Sequence, residues 1–115
     1  MTKGSSDLAV LQKHYRHLRQ QLAQLGYISQ GSVVDRSKLR PARSGYQWTR
    51  KVKGKTVTVA LTEVEFEALT EAIANQRKLS QTLKQMERIS RRILFRKRVE
   101  AGYRKPLRQK VLGLI

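Results

Sequence analysis

Leu8, Leu11, Tyr15, Leu18, Leu22 and Leu25 recur at spacings of three and four. That period lays one narrow apolar stripe along a helix. The spacing predicts a helix over residues 6–25. Ser6 or Asp7 is the expected N-cap, its side chain accepting from the first free backbone amides. Gly26 follows the last Leu and is the expected C-cap. Ser32-Val33-Val34 then predicts a short strand. Residues 35–45 hold Pro41, Gly45 and four basic residues, which reads as a loop.

From Tyr46 the pattern changes to alternation. A two-residue turn at Lys53-Gly54 makes Tyr46–Leu61 a β-hairpin, with Gly54 supplying positive φ. Lys is not a favoured first turn residue, so the turn type stays open. This register pairs Trp48 with Val59 and Tyr46 with Leu61. Tyr46, Trp48, Val57, Val59 and Leu61 then share one face, expected to be the core side. Gln47, Thr49, Lys51, Thr56 and Thr58 share the other. A bulged three-residue turn would slip the pairing by one and mix the faces, so the apolar pattern favours the first register.

Thr62-Glu63-Val64-Glu65 has the form of a capping box. Glu63, Glu65 and Glu67 suit the positive end of a helix dipole. No Gly or Pro follows until Gly102, so one helix of about 38 residues, roughly 57 Å, is predicted. Leu69, Ile73, Leu79, Leu83, Met86, Ile89 and Ile93 supply its apolar positions, with breaks at Gln76 and Ser90. The first helix can cover only part of it.

The expected fold is therefore α+β: N-terminal helix, short strand plus β-hairpin, and a long C-terminal helix forming an antiparallel helical hairpin with the first. Residues 1–101 make a single domain. Residues 102–115 make a basic tail, either disordered or docked on a partner through Val111-Leu112-Gly113-Leu114-Ile115.

Charge sharpens this picture. The chain has 115 residues and a formal net charge of +17. Residues 36–55 hold eight basic residues and no acid, and residues 88–110 hold ten basic residues and one acid. Between them, residues 56–87 carry three basic and five acidic residues. Two separated basic blocks form an electrostatic footprint for a polyanion. The expected nucleic-acid contacts in the first block are Arg36, Lys38, Arg40, Arg43, Arg50, Lys51, Lys53 and Lys55. In the second they are Arg88, Arg91, Arg92, Arg96, Lys97, Arg98, Arg104 and Lys105. Thr49, Thr56 and Thr58 add short hydroxyls suited to phosphate. Trp48 could stack on a base, but its place on the apolar face favours a core role.

Other chemistry finds little support. The chain has no Cys, which removes disulfides, thiolate metal sites and Cys nucleophiles. His14 and His17 share a helix face without a third ligand nearby. The only Asp residues are Asp7 and Asp35, and the Glu at the start of the long helix are explained by capping. Clustered acids for two-metal catalysis are thus missing. Lys53-Gly54-Lys55 lacks the spacing of a P-loop. No enzyme activity, metal or cofactor is expected. The first residues, MTKGSSD, lack an apolar signal segment, and no apolar run approaches the roughly 18 residues of a membrane span. A cytoplasmic protein without membrane association is expected.

The order helix, Leu-Gly, Gly-Ser-Val-Val-Asp, Trp-Thr-Arg-Lys-Val-Lys-Gly-Lys-Thr-Val-Thr-Val, Leu-Thr and Glu-rich helix resembles a family of small uncharacterised bacterial proteins. The resemblance spans roughly residues 8 to 95. Members are often encoded beside transposase genes, which implies a mobile-element setting. Many carry a Cys-rich loop between the short strand and the hairpin, suggesting metal. Here the matching loop, Asp35 to Gly45, is rich in Lys and Arg instead, so charge takes over the loop's work.

The leading expectation is a non-enzymatic nucleic-acid-binding accessory protein of a transposon or other mobile-element complex. Its partners would be DNA or RNA, together with a transposase or other nucleic-acid enzyme. The alternative is an adaptor that forms homo-oligomers through its helices and binds acidic proteins. A third reading is an inhibitor of a nucleic-acid enzyme.

Overall fold

Thr62 starts the longest element. In the computed structural model its backbone N–H donates to Glu65 Oε1 at 2.9 Å, and its Oγ1 accepts from the Glu65 N–H at 3.2 Å. The capping box read from the sequence therefore forms, and two orphan amides at the helix start are satisfied. The structure describes residues 3–100, 102 and 107–114; of residues 3–6, 97–100 and 112 it describes the backbone alone. Their order is α1 (Lys3–Ala23), β1 (Ser32–Asp35), a 3-10 turn (Arg36–Lys38), β2 (Tyr46–Val52), β3 (Lys55–Leu61), α2 (Glu63–Glu100) and α3 (Gln109–Leu114). The fold is α+β. The long helix runs for 38 residues, as its lack of Gly and Pro predicts.

The chain divides into two compact units, and α2 contributes to both. One unit joins α1 to the second part of α2. These segments run antiparallel: Asp7 near the start of α1 meets Arg96 late in α2, 3.9 Å apart. Both side chains are substantially exposed, so the pair itself contributes little. Leu18 is the most buried residue of the α1 stripe, with Leu8, Leu11, Tyr15 and Leu22 half-buried around it. On α2, Ile89 and Thr82 are buried, while Leu83 is 44% exposed. The expectation that Leu83 faces inward is thus corrected. Thr82 takes the inward position, one residue earlier: Leu79, Thr82, Met86, Ile89 and Ile93 form the buried and half-buried row at spacings of three and four, a period that either residue 82 or residue 83 satisfies.

Two expected caps also change. Helix α1 starts at Lys3, so Ser6 and Asp7 lie inside it. It ends at Ala23, and Gly26 is not among the positive-φ glycines. The chain leaves the helix early because the following segment is held elsewhere, as the second unit shows.

That unit is residues Leu25–Leu79. The segment after α1 is tied to the first part of α2: Asn75 Nδ2 donates to the Tyr27 carbonyl at 3.0 Å, and the Ser29 N–H donates to the Ala72 carbonyl at 3.1 Å. The sheet is antiparallel with order β1-β2-β3. Trp48 pairs with Val59 and Tyr46 with Leu61, the register the apolar alternation favours. Lys53 and Gly54 have φ values of 51° and 79°. Positive φ at both turn positions is the type I′ pattern, whose twist matches that of the strands.

The core side of the hairpin is shorter than its alternation suggests. Tyr46 stacks on Phe66 of α2, and Tyr46, Trp48 and Leu61 are half-buried. Val57 and Val59 share their face but are 40% and 44% exposed. The expected core role of those two valines is therefore corrected. Alternation reports which face a residue is on; it does not report how far along the strand a covering element reaches.

Candidate nucleic-acid interface

The outward face of the sheet is built by register. Ser32 of β1, Thr49 of β2 and Thr58 of β3 lie side by side, and so do Val34, Gln47 and Ala60. Lys51 sits opposite Thr56 nearer the turn. Directly paired residues point to the same side, so these groups share the face away from the Tyr46–Phe66 stack. At its inner end Arg36 Nε donates to Gln47 Oε1 at 3.3 Å. The result is a band of hydroxyls and cations from Arg36 through Gln47, Thr49, Thr58, Thr56 and Lys51 to the turn. Lys51, Lys53 and Lys55 are exposed.

Arg50 does not join this band. It pairs with Val57 and so points to the opposite face, as does Lys55, which pairs with Val52. The loop is also partly built into the fold. Arg36 donates its N–H to the Gly45 carbonyl at 2.9 Å, and its own carbonyl accepts from the N–H of Leu39 at 3.1 Å and of Arg43 at 3.0 Å. Lys38, Arg40 and Arg43 are exposed around that frame.

Asp35, the one acid in this region, is committed locally. Its Oδ1 accepts from Ser37 Oγ at 2.7 Å and from the Ser37 N–H at 3.0 Å. The Ser37 hydroxyl, then its N–H, holds the Asp35 carboxyl below the usual carboxylate range, and Lys38 adds to this. The carboxylate is thereby kept on the turn that opens the basic loop.

In the second block, Arg88 and Arg92 are exposed, whereas Arg91 and Arg96 are half-buried. Arg91 lines an open groove of about 400 Å³ with Tyr15, Leu83, Met86, Glu87 and Ser90. Arg96 faces Asp7. Of these four, Arg88 and Arg92 are thus the freer charges. The side chains of Lys97 and Arg98, and all of Arg104 and Lys105, lie outside the described residues. The two blocks belong to different units.

Trp48 is half-buried, and its indole N–H donates to the Gln30 carbonyl at 3.0 Å. It is a framework residue. Tyr27, which no sequence pattern singled out, is 93% exposed while its carbonyl is held by Asn75. Its position depends on a contact 48 residues away in the chain, which no local signal announces. Among the described residues no group of three or more His, Cys, Asp or Glu could hold a metal ion. No described helix is long and apolar enough to cross a membrane. No protein-family model, curated protein or solved structure matches the chain.

Proposed function

We propose that this chain is a non-enzymatic nucleic-acid-binding protein that grips backbone phosphate. The observation that carries this reading is the outward face of the hairpin. It combines Thr49, Thr56 and Thr58 with Lys51, runs out to the exposed Lys53 of the turn, and contains no acid. Hydroxyls and long cations are the groups that contact phosphates. A two-stranded ribbon of this kind also has dimensions suited to a DNA major groove. Arg88 and Arg92 supply a further phosphate-binding surface, and Arg is well matched to phosphate by its planar fork of donors. The resemblance of residues 8 to 95 supports a mobile-element setting for this activity.

Binding to random-sequence DNA and RNA over a range of salt concentrations tests the reading. Phosphate neutralisation requires log affinity to fall linearly with log salt. Steep salt dependence with at least one polymer is the expected outcome. Absence of binding to both at low salt overturns it.

A further inference from the structure

β3 is an outer strand of the sheet, and Lys55–Ala60 are all exposed. The register shows which of its backbone groups face outward. The Arg36 N–H bonds the Gly45 carbonyl, which continues the β1–β2 ladder of Val34 with Gln47 and Ser32 with Thr49. Hydrogen-bonded and non-bonded pairs alternate along an antiparallel ladder. Gln47 and Thr49 therefore bond toward β1, while Tyr46, Trp48, Arg50 and Val52 bond toward β3. Their partners Leu61, Val59, Val57 and Lys55 bond inward. That leaves Thr56, Thr58 and Ala60 turning N–H and C=O to the outside. No charge or Pro interrupts residues 56–60, although such interruptions are how sheet edges are commonly protected.

We propose that β3 pairs antiparallel with β3 of a second copy, about a twofold axis at Thr58, joining the two sheets into one. In this register Thr58 faces Thr58, and Thr56 faces Ala60 in both directions. All three outward-bonding residues of each copy are then used. Val57 of each copy meets Val59 of the other, covering the two valines left 40% and 44% exposed.

Charge fits the same register. One step on, Lys55 lies beside Leu61 of the other copy, and Lys53 comes to its Glu63. The basic turn thus approaches the acidic start of α2, where Glu63 and Glu65 are exposed. The two turns point in opposite directions, and the two Lys55 positions stand about 20 Å apart along the strands. Shifting the axis to Val57 pairs Thr56 with Thr58 but sets Ala60 against Gly54 of the turn, and it moves Lys53 away from Glu63. A strand that is its own complement suits an isologous twofold interface.

The test uses the full chain, freed of nucleic acid at high salt. Sedimentation should show a concentration-dependent dimer. Because the chain has no Cys, Thr58→Cys introduces a single thiol at the axis. The Cα atoms of a hydrogen-bonded pair stand about 5.5 Å apart, within disulfide range. Mild oxidation should convert Thr58→Cys to a covalent dimer and leave Lys53→Cys monomeric. Thr58→Pro removes an outward donor without touching the inward ladder, and should shift the dimer to monomer with its circular dichroism retained. A monomer at the highest soluble concentration overturns the proposal. So does equal cross-linking of the two cysteine variants, or a folded Thr58→Pro that stays dimeric. If Thr58→Pro fails to fold, the cysteine pair decides.

Discussion

The Tyr46 ring stacks on Phe66 with centroids 4.4 Å apart and planes 28° from parallel. One residue begins the hairpin and the other lies in the first turn of α2. The pair fastens the sheet to that helix, beside the capping box that aims the helix away from β3. Phe66→Ala removes a half-buried ring and the stacking it makes with Tyr46. A destabilisation of about 2 kcal/mol is expected, read as a lower urea midpoint.

Gly31 lies against Trp48. A Cβ at Gly31 would collide with the indole Nε1, and would stand 2.7 Å from the Thr49 carbonyl oxygen. Its φ of 107° is also unfavourable for a side chain. Backbone oxygen cannot move aside as a flexible side chain can. Gly31→Ala should cost roughly 3 kcal/mol. Fluorescence of Trp48, the only Trp in the chain, follows the unfolding directly.

The capping box has a pH signature. The Thr62 N–H, then its hydroxyl, holds the Glu65 carboxyl below its ordinary value of 4.5. A carboxyl lowered by folding contributes stability that is present above that value and lost as pH falls through its folded pKa. Asp35 behaves likewise from an ordinary value of 3.8. Stability should therefore fall as pH drops below the ordinary carboxylate range. Glu65→Gln should flatten part of that slope in urea midpoints measured across it. Thr62→Ala should cost about 1 kcal/mol at neutral pH.

Tyr46 carries the opposite signature. The nearby Glu63 carboxylate, followed by burial, raises its phenol above the ordinary value of 10.0. The folded state then holds this proton more tightly than the unfolded chain. Stability should decline as pH rises through that ordinary value, and Tyr46→Phe should remove this part of the decline in alkaline denaturation.

For nucleic-acid binding, replacing Lys51, Lys53 and Lys55 with Ala should weaken DNA and RNA alike. The salt slope should fall by roughly 0.9 for each duplex phosphate that is no longer neutralised. Arg88→Glu with Arg92→Glu probes the other unit, and both residues are exposed. An unchanged slope in one variant set assigns the phosphate binding to the other.

Much of this molecule was readable because the signals were local. The hairpin register follows from alternation around Lys53-Gly54, and the capping box from residues three apart. The length of α2 follows from the absence of Gly and Pro between Glu63 and Glu100. The candidate cations of the hairpin were equally visible, since charge is a property of the sequence. Sorting them was not. Arg50 leaves the polar face because its partner is Val57, and Arg36 is half-spent on Gln47 and Gly45.

The sequence by itself determined which residues share a strand face, where the long helix starts, and that the chain carries a large positive charge. Only the tertiary structure decided what covers each face. It places the segment after α1 against the first part of α2 through Asn75 and Ala72, and it turns Thr82 inward rather than Leu83. It also leaves Val57 and Val59 on an open sheet edge. Periodicity fixes direction within one element, whereas burial depends on the reach of another element, and that reach is set by residues far apart in the chain.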